Sequence, residues 1–535
     1  MPSTPTTKSQ VQAYRFVLRR MQSALVRRDS VMLHDPMRSH GRATIVGFLL
    51  GLLGMVGFIV FGLISPSPAV PGAPAIVIGQ TSGQIYVVSG NPATLTPTFN
   101  LASARLLLMS QQQGGGSATV VTPTVVPDSA LEGMPRGRRT GIVDGPQLLP
   151  TAAQRISDNW AVCDNIVIDT RLPAAIQLQN SHRETTVFAG VSSLGQELAQ
   201  NQAFLVQSDD NKYYLIYRLP PDPNNPNADN TVRAEVDPTD TAVATAFNLN
   251  GPVPRHVSIG LLNAIPPVGP LAVPAIPDKG GTANFAGLRA QGLTNGSVFA
   301  VNDAGGQEVY VLLPNGIQQL SLPVANMIFA SESGAQTQVP SVPLSATNNV
   351  RHLQPGDDGA LAVSTMPSVV PTILDTRQYP TACLGWDLVN NQPHTALYVG
   401  SALPTPAGKN LIDIGEPGPT GLKIDHFYMP TGQGAVVQSV TGADTIGKGP
   451  ISLVTDSGTR YGIPDVATAT GLGLYDQPPR PAPEAILSLL PTGTSLNVQD
   501  AQRSYDDIQV VPGTGSYPSQ AAQQSQAPAS SSSGG

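Results

Sequence analysis

The segment Gly442-Ala443-Asp444-Thr445-Ile446-Gly447-Lys448-Gly449 comes within one residue of the phosphate loop G-x-x-x-x-G-K-[ST]. In that loop, backbone amides and the Lys hold phosphates, and the final hydroxyl binds Mg²⁺. Gly442, Gly447 and Lys448 are therefore the weak nucleotide candidates, with Ala435–Val440 as the strand that must precede them. Two features argue against this. Gly449 stands where Ser or Thr is needed. Pro450 and the strand-like Ile451–Val454 follow where a helix N-terminus must face phosphate. The other reading is a Gly-rich turn between strands. Ile166-Val167-Ile168-Asp169 has the form of an apolar strand ending in a metal-binding Asp, and equally that of an ordinary buried strand. His426 beside Asp425 reads as a surface or turn pair. The seven His have unrelated spacings and no C-x-x-C occurs, so no metal set is expected. Nor does a G-x-S-x-G, H-E-x-x-H or G-x-G-x-x-G pattern occur. The residues point to no catalytic set and require no cofactor; ATP stands only as an alternative.

The chain has two cysteines, Cys163 and Cys383. Both follow the apolar stretch described below, on the side where thiols are usually oxidised. The even count favours a Cys163–Cys383 disulfide over a reactive or metal-bound thiol.

Any such groups must be positioned by a chain with unusual charge layout. Only 12% of the 535 residues are charged. That is about half the usual ~25%, too little for a long surface coiled coil or a charged disordered chain. Residues 1–42 hold eight basic and two acidic residues, a charge of +6, and the remainder sums to −13. Between them, Ala43 to Ile64 is a run of 22 residues without a charge. As a helix it spans about 33 Å, enough for a bilayer core of about 30 Å. It is too long, and its lead too extended, for a signal peptide. The positive-inside rule then puts the N-terminus in the cytoplasm and the long acidic part outside. That acidic part disfavours nucleic acid as a partner.

The basic lead has a pattern of its own. Val11, Tyr14, Leu18, Met21 and Leu25 share one helical face, with Ser9 as the expected N-cap. Such a stripe suits lipid or a partner protein and exceeds what topology requires. Beyond the span, four segments repeat one layout of apolar strand, polar turn and Tyr-bearing strand: Ile76–Val88, Phe204–Tyr217, Phe299–Leu312 and Ile451–Ile463. Tyr86, Tyr213, Tyr310 and Tyr461 are expected to hold similar places. Pairing first with third and second with fourth leaves one Cys in each half. The alternating stretches Asn165–Asp169, Thr395–Val399 and Ala435–Val440 suggest a β core between the repeats, with short helices at Ala152–Ile156 and Ala482–Leu490. The expected fold is α+β. A β-rich ectodomain carries four degenerate hairpin repeats around a central core, joined to one transmembrane helix and an N-terminal amphipathic helix. Its expected limits are 1–42 cytoplasmic, 43–64 transmembrane, 65–512 extracytoplasmic and 513–535 a disordered tail.

Several of these residues resemble the EccB family of type VII (ESX) secretion membrane components. The likeness begins at Thr7–Met37 before the span. It continues through Tyr86, Asn100-Leu101-Ala102-Ser103-Ala104-Arg105, Pro135-Arg136-Gly137, Gly141-Ile142 and Trp160-Ala161-Val162-Cys163-Asp164. Val143, Asp144 and Gly145 depart from its pattern. The resemblance implies a single-pass inner-membrane protein with a large periplasmic domain and a disulfide. It also implies partners: further EccB copies, EccC, EccD and EccE in a hexameric complex, with the N-terminal helix near EccC. Repeats of this kind imply an envelope contact such as peptidoglycan. The family is sometimes described as an ATPase, which the imperfect phosphate loop does not support.

Overall fold

The computed structural model describes residues 7–28, 36–64, 70–112, 120–156, 158–221, 230–303, 306–332, 339–390 and 392–506. The expected tail at 513–535 lies outside the described residues, as does most of the Pro220–Asn230 connection. The chain forms two compact units: Met1–Val70 with Val125–Glu132, and Pro71–Thr124 with Gly133–Gly535.

The first unit holds two long helices, α1 (Lys8–Arg27) and α2 (Pro36–Ile64). Ser9 is not the N-cap. Thr7 takes that role, and its amide donates to Gln10 Oε1 at 3.1 Å, because Thr7 and Gln10 have the spacing of a capping box. None of α1 is buried, and Val11, Tyr14, Leu18, Met21 and Leu25 are all exposed. Helix α2 begins with Pro36 in its first turn, where a missing N–H costs nothing. Its Gly41–Gly62 stretch is long and apolar enough to cross a membrane, and none of it is buried.

In the second unit, β1 (Ala75–Gly79), β2 (Ile85–Ser89) and β3 (Thr94–Thr98) lead into α3 (Leu101–Gln112). Next come β4 (Trp160–Val167), β5 (His182–Ala189) and the short β6 (Gln196–Glu197). Then β7 (Gln202–Ser208), β8 (Tyr213–Arg218), β9 (Thr231–Glu235), α4 (Thr241–Ala246), β10 (Arg255–Val257) and α5 (Ile259–Ala264) follow. They are succeeded by β11 (Val298–Asp303), β12 (Gly306–Leu313), β13 (Gly316–Leu320), α6 (Leu322–Glu332) and β14 (Ser341–Val342). The last third holds β15 (Thr381–Val389), β16 (Gln392–Gly400), β17 (Ile412–Asp413), β18 (His426–Tyr428), β19 (Gly434–Val440), β20 (Ile451–Thr455), β21 (Arg460–Ile463), α7 (Val466–Gly471), β22 (Arg480–Pro483) and α8 (Glu484–Leu487).

Each of the four hairpin segments folds as an antiparallel pair in a separate sheet. Three of these sheets share one build: three antiparallel strands, a helix, and a strand returning parallel to the first. That return is β10 on β7, β14 on β11 and β22 on β19. The build corrects one expectation. The first three segments are first and second strands, whereas Ile451–Ile463 supplies the second and third, β20 and β21. Tyr461 therefore lies one strand later than Tyr86, Tyr213 and Tyr310. A hairpin motif looks alike in either half of a three-strand meander, so local pattern could not set the phase. For the same reason Ala435–Val440 belongs to β19 in the fourth sheet and not to the core sheet. Of the two expected short helices, Ala152–Gln154 is a single 3₁₀ turn, and the second is confined to α8 because Arg480–Pro483 pairs with β19.

The central sheet has seven strands in the order β17-β18-β5-β4-β15-β16-β6. Its middle strands are apolar and buried on both faces, as continuous runs such as Trp160–Asp164 and Thr381–Trp386 require. Strands β4 and β15 pair antiparallel, setting Cys163 opposite Cys383 and the chain's two Trp, Trp160 and Trp386, opposite each other. Cys163 and Cys383 form a disulfide with a Cα–Cα distance of 4.0 Å, and both are fully buried. The outer sheets share cores in pairs. Leu205, Phe247, Val311 and Met327 join the second to the third, and Leu106, Leu453 and Leu472 join the α3 region to the fourth.

The disulfide closes 220 residues. Replacing both cysteines with Ser should lower stability by up to about 5 kcal/mol on the loop-entropy model. Denaturant unfolding measures the change, and an unaltered midpoint would contradict it.

Candidate functional site

A buried polar cluster beside the disulfide ties neighbouring elements to the central sheet. Asp164 of β4 is fully buried, yet both its carboxylate oxygens accept hydrogen bonds. The Ser258 amide and hydroxyl donate to it at 2.6 and 2.9 Å, and the Thr185 hydroxyl at 2.8 Å. Ser258 also caps α5, its Oγ accepting from the Leu261 amide at 3.0 Å. Arg255, 2% exposed, donates to the carbonyls of Tyr379, Asp164 and Pro380 at 2.5–2.7 Å, and stacks on Phe204. Burial lowers the Arg255 guanidinium to about 10, with the Asp164 charge opposing. Burial also raises the Asp164 carboxyl, against the pull of the Ser258 amide, Arg183 and the two hydroxyls. This cluster ties β4 to β10, α5 and the start of β15. It holds elements and leaves no reactive lone pair exposed. Sequence reasoning passed over both residues; the available signal was a lone charge inside an otherwise apolar strand.

A second polar seam joins the α3 region to the fourth sheet, built from residues that carried the family resemblance. Asn100 donates to the Ile142 carbonyl and accepts from the Ser103 amide, both at 2.8 Å. The Ile142 amide donates to Ser103 Oγ at 2.8 Å. A side chain on Gly145 would come within 2.6 Å of Asn100, so this departure from the family pattern is sterically required here. Arg105 donates to the Leu472 carbonyl at the end of α7, where a cation suits the helix dipole. Tyr461 donates to the Asp144 carbonyl at 2.8 Å, and the Thr494 amide to the Asp144 carboxylate at 3.0 Å.

The phosphate-loop-like segment joins β19 to β20, which pair antiparallel. A 3₁₀ turn at Ala443–Thr445 is its only helical element. Several amides here are already used within the turn: Thr441 and Gly442 both donate to Thr445 Oγ1, at 2.9 and 3.1 Å, and Lys448 donates to the Thr445 carbonyl at 3.0 Å. Gly449 lies against β19 so closely that a side chain there would sit 1.8 Å from the Ser439 carbonyl. The Ser or Thr of a phosphate loop therefore has no room. A cavity of about 410 Å³ does open beside Gly442 and Ala443, lined by Trp386, Pro266, Leu384, Gln392 and Ile486 among others. No charged side chain lines it, and Lys448 is exposed elsewhere. These residues do not fit a nucleoside triphosphate and magnesium. Asp169, the other candidate, lies beyond the end of β4 and accepts from the Arg171 amide and guanidinium at 2.9–3.0 Å. Those bonds lower its carboxyl below the usual range.

Two substitutions test these assignments. Gly449→Ser, which completes the motif on paper, should cost about 1–3 kcal/mol through overpacking and create no ATP binding. Asp164→Ala should cost about 3–5 kcal/mol by leaving three buried donors without their acceptor and the buried Arg255 without a nearby opposite charge. Unfolding curves and nucleotide titration check both; a stable, ATP-binding Gly449→Ser protein would refute the first.

The model of a family described as type VII secretion system ESX-1, transport TM domain B, matches residues 3–510. The ESX-3 secretion system ATPase EccB3 of Mycobacterium tuberculosis is 30% identical, across 94% of this chain and 90% of that protein. The ESX-1 secretion system ATPase EccB1 of the same organism is 27% identical, across 95% and 96%. Among solved structures, the EccB3 dimer from the ESX-3 core complex aligns with a TM-score of 0.63 and 25% identity, over 80% of this chain and all of that one. A chain of the intact ESX-5 inner membrane complex shares the fold, with a TM-score of 0.67 and 24% identity over 97% and 99%. By the span of the family match and the identity to EccB3, this chain belongs to the EccB family of type VII secretion systems.

Proposed function

We propose that this chain is a structural subunit that holds a type VII secretion complex together at the inner membrane. Helix α2 anchors it, with the basic N-terminal segment in the cytoplasm and the acidic unit in the periplasm; the charge asymmetry around the span supports that orientation. The similar structures, an EccB3 dimer and an ESX-5 inner membrane complex, support assembly with further copies of itself and with other ESX subunits. The exposed stripe of α1 is the docking face for a cytosolic partner, which the family resemblance makes EccC. EccD and EccE complete the partner set by the same resemblance.

The periplasmic unit is a fourfold duplication around the central sheet. One recurrent feature supports this beyond the strand order. In each copy the third strand is met by a later segment running parallel to it. The amides of Leu95, Arg233 and Arg460 donate to the carbonyls of Pro135, Pro266 and Pro491 at 2.8–2.9 Å. In the third copy the Ile317 amide donates to the Arg351 carbonyl at 2.8 Å.

The observation that carries the structural reading over an enzymatic one is the tight turn at Gly442–Gly449, which joins antiparallel strands and has no room for a side chain at Gly449. The word ATPase in the relatives' names motivates the rival reading. Purified full-length protein should hydrolyse no ATP above background; activity abolished by Lys448→Ala would overturn the structural reading. Leu18→Asp with Met21→Asp should sharply reduce recovery of partner subunits in mild detergent while the disulfide still forms. Undiminished co-purification would count against the docking face.

A further inference from the structure

The charge of the long acidic part is not uniform. Of the residues that follow α2, 65–143 sum to +2 and 144–535 sum to −15. The stretch that leaves α2 first is thus the acid-poor one. Three of its four basic residues fall within Pro135-Arg136-Gly137-Arg138-Arg139, and all five residues of that run are exposed. The run lies along the edge of the first sheet. The Leu95 amide of β3 donates to the Pro135 carbonyl, and the Gly137 amide to the Leu95 carbonyl, both at 2.8 Å. Arg139–Thr140 then pairs between β3 and Ser504–Tyr505.

This edge holds three guanidinium groups at the surface. Arg136 lies over the Tyr86 ring at 6.0 Å and Arg139 over the Phe99 ring at 5.3 Å. Arg139 also donates to Gln84 Oε1 at 3.1 Å. Arg138 lies 3.3 Å from Asp506, with the two side chains 71% and 74% exposed. A pair so open to water holds weakly. Stacking uses the flat face of a guanidinium and leaves its in-plane N–H fork for other acceptors.

We propose that Arg136, Arg138 and Arg139 form a patch that binds the phosphate groups of anionic lipids in the bilayer that α2 crosses. Arginine forks match phosphate oxygens in a bidentate way. Charge and reach together select a lipid surface. Ten residues separate Ile64, the end of α2, from Ala75, the start of β1. An extended chain covers at most about 3.6 Å per residue, so β1 starts within about 40 Å of the end of α2. Salt screens exposed charges beyond about 8–10 Å, so the patch must touch the headgroups to gain from them. An anionic surface repels the −15 remainder and accepts the acid-poor sheet. The inference rests on α2 crossing a bilayer and is independent of which side the sheet occupies.

The test uses full-length protein in nanodiscs of phosphatidylcholine alone or with phosphatidylglycerol, read by amide hydrogen exchange. Co-elution with the discs checks the span separately. Peptides covering 133–140 should exchange about 5-fold more slowly in the anionic discs, and high salt should abolish the difference. The exposed acidic turn at 355–359 should exchange equally in both. Arg136→Gln/Arg138→Gln/Arg139→Gln should erase the difference, and Asp506→Asn should enlarge it by freeing Arg138. Far-UV circular dichroism establishes that each variant is folded. Should the triple variant unfold, Arg138→Gln decides, because its only pair is an open surface one. It should bring the ratio below about 2-fold, and an unchanged ratio overturns the patch. Equal exchange in the two discs also overturns it, as does slowing that survives high salt. Protection that is the same with neutral lipid assigns the patch to a protein surface and overturns the lipid reading.

Discussion

The antiparallel seam between β4 and β15 is the constraint on which the second unit depends. It brings together chain segments 220 residues apart, a closure with a substantial entropic cost. Three interactions offset that cost. The disulfide joins Cys163 to Cys383 at the centre of the register. Trp160 and Trp386 pack as directly opposed pairs one end along. On the other face, Asp164 and Arg255 bind the seam to β10 and α5 through buried, charge-assisted hydrogen bonds. Both Asp164 carboxylate oxygens and both terminal nitrogens of Arg255 have partners, which offsets most of the cost of burying these charges.

The remaining architecture follows from this seam. The hairpins β4-β5 and β15-β16 form the body of one sheet, and the outer sheets pack around it in pairs, second with third and α3 region with fourth. The pairing in space differs from the pairing suggested by motif spacing, first with third and second with fourth. Likeness along a chain reports common layout, whereas contact depends on which apolar faces can reach each other. The Pro- and Gly-rich connections let the sheets turn tightly: Gly449 against Ser439 and Gly145 against Asn100 are close approaches no side chain permits. Polar residues inside the unit are committed to holding neighbours, which is the chemistry of a scaffold.

Much of this was legible from the residues. The long uncharged run stood out because membrane crossing demands a length and composition that few other helices share. The four hairpins were visible because alternation and turn residues act locally. The disulfide partners were identifiable because there were only two. The failures have physical causes as well. Ser9 was a good N-cap by type, but Thr7 and Gln10 satisfy two groups reciprocally and so won. Tyr461 was assigned the wrong strand because hairpin pattern carries no information on which edge of a meander it occupies. The Gly442–Lys448 segment looked like a phosphate loop because its composition is that of any tight turn. The antiparallel strands on either side and the lack of room at Gly449 distinguish the two.

The sequence by itself determined a helix long and apolar enough to cross a membrane, the β-rich class, the hairpin positions and the family, since each depends on local periodicity, composition or residue-by-residue likeness. Tertiary structure alone decided which strands share a sheet, how the Asp164 and Arg255 charges are satisfied, and that His182, Glu184, Asp413 and His426 stand together. Spacing along the chain conceals such groupings. Side chains meet according to strand register and face, and β18 lies beside β5 only after the central sheet has closed.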